Sequence, residues 1–161
     1  MKKIISLFLV IALTVGIGVA TTGCLNGYDE LEVGEFIFVE DFDVADVDDL
    51  VEVEPEYSSE DDVFVYFDVE GFEVGDDGTV AWQSYVTVYN PDGEPVEGLD
   101  NVELDAGEDQ LPDAEWAYVD FTAHLWPGED GWDEGEHEVV FTVVDEVGDK
   151  DMEITRTFDV S

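Results

Sequence analysis

The chain has 161 residues, of which 44 are Asp or Glu and 4 are Lys or Arg, giving a formal net charge of −40 at pH 7. This charge argues against nucleic-acid binding, because phosphate contacts need Lys or Arg. A hydrophobic content of 45% and an aromatic content of 12% argue against a disordered chain. An acidic mimic of nucleic acid and a bulk cation buffer are rival interpretations of the same composition.

The carboxylates also indicate the salt concentration of the medium in which the protein is stable. At about 0.1 M salt, their mutual repulsion is on the order of 25 kcal/mol, against a typical folding stability of roughly 5 to 15 kcal/mol. The unfolded chain repels itself too, so only the difference between the two states counts. Above about 1 M salt the repulsion nearly vanishes. The composition therefore resembles that of proteins from extreme halophiles, in which a large net charge maintains solubility.

The N-terminus has the layout of a signal peptide. Met1-Lys2-Lys3 is positive, Ile4 to Ala20 carries no charge, and Thr21-Thr22-Gly23-Cys24 closes the run. These last four residues resemble a prokaryotic lipobox, although Thr21 stands where Leu is commonest. The resemblance implies cleavage before Cys24 and a lipid on its thiol. An uncleaved membrane anchor is the alternative, and both place the rest of the chain outside the cell.

Three segments follow from this interpretation. Residues 1–23 are the lipoprotein signal peptide, residues 24–34 are the lipidated Cys24 with a polar tether, and residues 35–161 are one domain. We expect that domain at the cell surface, held by lipid to the outer face of the cytoplasmic membrane. Cys24 is the sole cysteine, so no disulfide can form within the chain and stability must come from the core.

From residue 35 onward the hydrophobic pattern has a period of two. Segments rich in β-branched and aromatic residues predict strands at Glu35 to Val44, Asp62 to Val69, Val80 to Tyr89, Glu115 to Trp126, His137 to Asp145 and Met152 to Val160. Weaker candidates are Leu50 to Glu54 and Asn101 to Leu104. Turns rich in Gly, Asp, Asn and Pro separate them. About seven to eight short strands of this kind predict an all-β, antiparallel β-sandwich.

Alternation predicts which side chains face the core. The inward rows are Ala117, Val119, Phe121, Ala123 and Leu125; Val139, Phe141 and Val143; Val63, Val65 and Phe67; and Met152, Ile154, Phe158 and Val160. Arg156 shares the parity of the last row. A guanidinium there needs a carboxylate partner or a route to solvent, and a bulge or a side chain reaching out at the sheet margin is the simpler expectation.

The C-terminal third adds a family resemblance. The stretch from Gly135 to Asp145, a turn, and Thr157 to Val160 resemble the closing hairpin of immunoglobulin-like modules in prokaryotic surface proteins. Tyr89 to Val96 is similar to a strand-to-turn passage of the same modules. The resemblance covers about half of the domain and lacks the paired cysteines of antibody domains. It implies an immunoglobulin-like sandwich used for adhesion, spacing or presentation, and it implies no catalytic residues.

Few residues of the sequence are candidates for a catalytic, metal-binding or ligand-binding role. His124 and His137 lie in or beside strands and belong to no metal motif, so we expect structural or solvated roles for both. Trp126 and Trp132 bracket a Gly-rich connection and could grip a sugar ring or a partner protein. The alternative is that they fold inward and seal one end of the sandwich.

Calcium is the cofactor to consider, although we expect that the protein requires no cofactor. Asp130, Asp133 and Glu134 lie close together in the sequence, and calcium takes several carboxylate oxygens. Neither this run nor the acidic run from Asp41 to Asp49 fits the EF-hand spacing, and at this acid density clusters also arise from composition alone.

The sequence thus predicts a lipid-anchored surface protein of a halophile, acting as a non-enzymatic binding or structural module. Its expected partners are the membrane, through the lipid on Cys24, and another surface protein or a glycan. An extracellular calcium- or carbohydrate-binding protein is the alternative function.

Overall fold

The computed structural model describes residues 17–18, 30–42, 47–111 and 116–161, the first pair by backbone alone. Within these ranges the strands are β1 Ile17–Gly18, β2 Glu32–Val39, β3 Glu56–Tyr57, β4 Val63–Glu73, β5 Thr79–Tyr89, β6 Val102–Gln110, β7 Trp116–Leu125, β8 Gly135–Asp145 and β9 Lys150–Val160. A 3-10 turn spans Val47–Asp49. Among the described residues, no helix has the length and apolar character needed to cross a membrane.

The strands form two sheets. One has the order β1-β7-β4-β2 and the other β3-β9-β8-β5-β6. All neighbours are antiparallel except β3 and β9, which run parallel. The chain passes to the other sheet for β3 and returns for β4, and it changes sheet again between β4 and β5, between β6 and β7, and between β7 and β8. This arrangement, with β2, β4 and β7 opposite β5, β8 and β9, is the immunoglobulin-like sandwich that the sequence predicted.

The six main predicted strands are confirmed as β2, β4, β5, β7, β8 and β9, with shifted ends. β2 begins at Glu32, inside the predicted tether, and Leu31 is already buried. β4 continues past Val69 to Glu73. A bulge between Glu70 and Phe72 contains Gly71, at φ 94°, and beyond it the side chain of Phe72 lies in the core.

Of the two weaker strand candidates, one is wrong and the other is part of a longer strand. Leu50 to Glu54 is not a strand, although Glu52 forms an isolated bridge with Val39. Asn101 to Leu104 is the start of β6, which continues to Gln110. Gly107 lies under the ring of Trp82, and a Cβ at this position would collide with that ring. β6 therefore continues through a segment that is acidic and contains a glycine, a composition that does not predict a strand.

The core is built by the predicted inward rows. Every residue of the β4, β7 and β8 rows is buried, and in β9 Ile154, Phe158 and Val160 are buried while Met152 is partly so. Phe67 is the centre of the layer between the sheets. Its ring centroid lies 5.0 Å from that of Phe121 and 4.8 Å from that of Phe141 on the facing sheet.

Arg156 follows the predicted snorkelling behaviour. It is exposed, its guanidinium carbon lies 4.7 Å from the ring centroid of Phe36, and Nη1 donates to the carbonyl of Thr155 at 2.8 Å. β3 pairs with β9 only at Asp159 and Val160, so on the side away from β8 no described strand lies beside Arg156. The margin there is open, and the guanidinium covers the face of the Phe36 ring while staying in solvent.

A buried carboxylate closes one end of the sandwich. Asp145 is fully buried, and its Oδ1 accepts from the backbone N–H groups of Val147 and Gly148 at 3.1 and 2.9 Å. Oδ2 accepts from the N–H of Glu73, in the other sheet, at 2.8 Å. Lys150 Nζ lies 4.0 Å from the same oxygen and donates to the carbonyl of Gly71 at 3.2 Å. Asp145 and Lys150 therefore join the β8–β9 turn to the end of β4.

We expect Phe121→Ala to lower the free energy of unfolding by about 3 to 5 kcal/mol, because it empties space beside Phe67 and Phe141. Thr122→Ala is the matched control. Its side chain lies on the other face of β7, and its buried Oγ1 has no hydrogen-bond partner, so little is lost. Urea unfolding in 2 M KCl measures both. Equal losses for the two variants would contradict this register of β7.

Candidate functional site

The two ends of the sandwich differ in what they present. Glu32, where the chain enters β2, lies opposite Glu70 of β4, and Glu70 pairs with Tyr118 of β7. The opposite end contains Phe64 paired with His124, followed by the loop that includes Trp126 and Trp132. Phe64 and Glu70 are about 20 Å apart along β4, at roughly 3.3 Å per residue. The predicted binding loop therefore lies at the end away from the tether.

Trp132 folds inward, as the sealing alternative expected. The residue is 4% exposed, its Nε1 donates to the carbonyl of Asp61 at 2.8 Å, and its backbone N–H donates to the carbonyl of Ser59 at 2.8 Å. Its ring makes edge contacts with the rings of His137 and Phe158, at centroid distances of 5.5 and 5.3 Å. Trp132 thus closes the core at this end, and its ring cannot stack on a ligand.

Trp126 lies in a different environment, on the outer face of the sheet that contains β4 and β7. It is partly exposed and contacts His124, with ring centroids 5.2 Å apart. His124 stacks on Phe64 at 4.4 Å, and Phe42 lies 5.4 Å beyond Phe64. The loop therefore separates its two tryptophans, with Trp126 in an outer aromatic cluster defined by Phe42, Phe64, His124 and Trp126.

A carboxylate borders this outer aromatic cluster. Oδ2 of Asp62 lies 2.8 Å from Nε2 of His124, and the two side chains are 43% and 31% exposed. The contact fixes the orientation of the imidazole next to Phe64. The cluster combines partly exposed ring faces with a hydrogen-bond acceptor, which are features of a polar-rimmed binding surface. Trp126 was a candidate from sequence, but its neighbours Phe64 and His124 were not predicted, since that grouping depends on the register between β4 and β7.

His137 takes a structural position. It is fully buried, its ring stacks on that of Phe158 with centroids 5.1 Å apart, and Nδ1 lies 3.3 Å from the carbonyl oxygen of Gly135. Nε2 is buried and has no hydrogen-bond partner. Burial lowers the pKa of His137, because the charged imidazolium would lose its hydration. Both histidines thus pack against aromatic rings, in agreement with the roles expected from the sequence.

The predicted calcium ligands are all exposed. Asp130, Asp133 and Glu134 project from the loop between β7 and β8. Within residues 30–42, 47–111 and 116–161, no three His, Cys, Asp or Glu side chains are grouped so that they could hold a metal ion. Calcium binding by this loop stays a prediction. Of the other acidic run, Asp48 and Asp49 lie in the 3-10 turn, and residues 43–46 lie outside the described residues.

Two acidic side chains on the outer face have perturbed titration. Asp68 and Asp120 are cross-strand partners on β4 and β7, and Oδ1 of Asp120 accepts from the hydroxyl of Tyr66 at 2.8 Å. Burial raises the pKa of Asp120 to about 6, with a further contribution from the charge of Asp68. Burial also raises the pKa of Asp68, and burial together with the bond to Asp120 raises the pKa of Tyr66. These groups lie nearer the tether than the outer aromatic cluster does.

Comparisons with known proteins add no functional assignment. No family model matches the chain, and no curated protein matches it. One similar solved structure is a crystal structure named for the ApaA protein of Bordetella pertussis. It is 12% identical, and the match covers 81% of this chain and 94% of that chain at a TM-score of 0.37. Cys24, the predicted lipidation site, lies outside the residues that the structure describes.

We expect Asp120 to make the protein less stable as the pH rises. Its folded-state pKa of about 6 lies above the ordinary value of 3.8, so the folded state binds the proton more tightly. The resulting stability is present below about pH 4 and is lost as the pH rises through about 6. Asp120→Asn, which keeps an acceptor for Tyr66, should remove this contribution.

The measurement compares melting temperatures at pH 4.5 and pH 7 in 2 M KCl. Between these values the wild type should lose more stability than Asp120→Asn. Asp92→Asn, in an exposed turn, is the control and should follow the wild type. Identical pH profiles for wild type and Asp120→Asn would contradict a raised pKa at this position.

Proposed function

We propose that this chain is a lipid-anchored extracellular surface protein of a halophile, whose immunoglobulin-like sandwich is a non-enzymatic binding or structural module. The observation that carries the proposal is the placement of the two ends. The tether enters beside Glu70 and Tyr118, and the outer aromatic cluster lies at the other end. A module anchored through Cys24 would then present that cluster to the medium.

The length of the tether supports this arrangement. Leu31 is part of the core, so residues 25–30 are the connection between Cys24 and the sandwich. Fully extended, they reach about 20 Å. A lipid on Cys24 would hold the near end of the domain close to the membrane surface while leaving the far end accessible to a neighbouring protein or glycan.

The use of cations supports the halophile part of the proposal. Lys150 and Arg156 are the cations that follow the predicted cleavage site. Lys150 joins the two sheets beside Asp145, and Arg156 lies over Phe36. Both therefore have structural positions, and the acidic surface has few cations of its own to oppose repulsion. Dissolved salt would supply that screening.

Carbohydrate binding is the second candidate function, favoured by the outer aromatic cluster. The faces of Phe64 and Trp126 could contact the apolar side of a sugar ring, and Asp62 could accept hydrogen bonds from hydroxyl groups. This function would use the same end of the sandwich as contact with a protein partner. It differs in the size of the ligand and in its need for a free acceptor at Asp62.

The anchoring proposal is tested at Cys24. Mass spectrometry of the protein from native membranes should find Cys24 as the N-terminal residue, modified by lipid. Cys24→Ser should remove the lipid and leave an uncleaved or released form, because the thiol is the attachment atom. An intact Met1 or an unmodified Cys24 in the wild type would overturn the assignment.

The halophile proposal predicts that salt stabilises the domain. Raising KCl from about 0.1 M to 2 M should increase the melting temperature by about 10 °C or more, because screening removes repulsion that is greater in the compact state. Sucrose is the control, since a neutral osmolyte stabilises without screening. A midpoint that does not move across this range of KCl would contradict the proposal.

A further inference from the structure

The outer edge of β7 depends on a segment that the mature protein would not contain. One side of β7 pairs with β4 along its whole length. On its other side, the described partner is β1, where Ile17 lies opposite Val119 and Gly18 opposite Tyr118. This inference rests on the proposed function, in which cleavage before Cys24 removes β1. Among the described residues, the outer edge of β7 from Ala117 to Leu125 then has no partner strand.

The three other sheet edges are protected against strand addition. Among the described strands, β3 covers only Asp159 and Val160 of β9, and the rest of that edge carries the charges of Asp151, Glu153 and Arg156, which oppose pairing. β2 carries a bulge between Val33 and Phe36. β6 carries acidic residues at four of its nine positions, namely Glu103, Asp105, Glu108 and Asp109. Bulges, short strands and charges are the devices by which natural sheets prevent edge pairing.

β7 has almost none of these devices. Its ten residues include no Pro, Gly or Lys, and they carry a single acid, Asp120. The hydroxyl of Tyr66, on the neighbouring strand β4, donates to that carboxylate, so Asp120 is engaged on the side away from the open edge. This regular, nearly uncharged edge, from Ala117 to Leu125, presents outward-pointing N–H and C=O groups to an incoming strand.

We propose that the edge of β7 is an acceptor site for an extended strand of another surface polypeptide, uncharged or basic and rich in β-branched residues. Backbone hydrogen bonds of an antiparallel or parallel ladder would supply the affinity. In β1, Ile17 and Gly18 pair with this edge at Val119 and Tyr118, so the edge accepts uncharged residues at these two positions. The chemistry of the partner follows from β7 itself, because an acidic side chain opposite Asp120 would repel that carboxylate and an acidic side chain on the inward row would be buried.

The inward and outward rows of β7 further define the partner. The inward side of an added strand would lie beside Val119, Phe121 and Ala123, which are buried, and so would continue the apolar layer. Its outward side would lie beside Tyr118 and Thr122, which are partly exposed. Alternating β-branched and small polar residues satisfy both rows.

The test uses the chain from residue 24 with Cys24→Ser, in 2 M KCl. The core residues that the structure describes all lie between Leu31 and Val160, so this chain retains them. The probe is a synthetic peptide of residues 10–20, the apolar stretch that contains Ile17 and Gly18, followed by two lysines for solubility. The high salt screens attraction between these lysines and the acidic surface.

Amide hydrogen exchange followed by NMR gives the readout. With the peptide bound, exchange of every second amide of β7 should slow by about tenfold or more, because alternate N–H groups of an edge strand point outward. Amides of β6, the acid-protected edge, should be unchanged. A peptide with alternate backbone amides methylated is the matched control, and it should give no protection because it cannot complete the ladder.

Three results would overturn the proposal. These are no protection of β7 at millimolar peptide, equal protection by the methylated peptide, or protection without peptide that grows with protein concentration, which would indicate a second copy on the edge. Failure of the anchoring proposal is seen separately. An uncleaved N-terminus in native protein would overturn the anchoring, whereas peptide binding by the shortened chain would still establish the acceptor edge.

Discussion

The contact between the sheets, centred on Phe67, is the interaction on which the rest of the structure depends. Phe67 meets Phe121 within its own sheet and Phe141 across the layer, and Phe36 lies 5.8 Å from both Phe67 and Phe141. Such rings remove large apolar areas from water, and this gain does not depend on neutralising charge. In a chain with 44 acids, ion pairs cannot serve as the main stabilising interaction. Concentrated salt strengthens apolar burial or leaves it intact while screening repulsion, so both effects act in the same direction.

The two ends of this apolar layer are closed by different chemistry. At the end near the tether, backbone N–H groups surround the buried carboxylate of Asp145, and Lys150 joins it to β4. At the far end, Trp132 covers the core and is fixed by the carbonyls of Ser59 and Asp61. A buried carboxylate is tolerable because each of its oxygens accepts hydrogen bonds. The indole of Trp132 closes the far end without placing a charged group in the core there. The partly exposed ring of Trp126 lies on the outside of the same end.

Much of this fold could be predicted from the sequence, because alternation reports burial directly where one face of a strand is apolar. The rows of β4, β7 and β8 were identified on this basis. β6 was largely missed, since its burial is confined to Leu104 and its acids give no alternating pattern. β3 was missed because two residues carry no periodicity.

At the candidate site, local sequence could not distinguish the inward Trp132 from the outer Trp126. Their separation is set by hydrogen bonds to Ser59 and Asp61, residues distant in the chain. The stacking of Phe64 on His124 likewise follows from register between β4 and β7.

The acidic composition gives the sheet edges their particular character. Carboxylates are so abundant on this surface that an edge strand such as β6 carries protective charges without any special selection. An edge strand that lacks such charges therefore departs from the rest of the surface. β7 keeps its outer row nearly neutral, and Asp120, its single acid, has a raised pKa because it is partly buried against Tyr66 and Asp68. Burial of that carboxylate has a free-energy cost, and Thr122 adds a buried hydroxyl without a partner on the same face. A surface evolved for solubility alone would place exposed acids at these positions. The face and edge of β7 are therefore consistent with selection for contact, in which a strand that covers the edge adds apolar area to the layer between the sheets without introducing another acid.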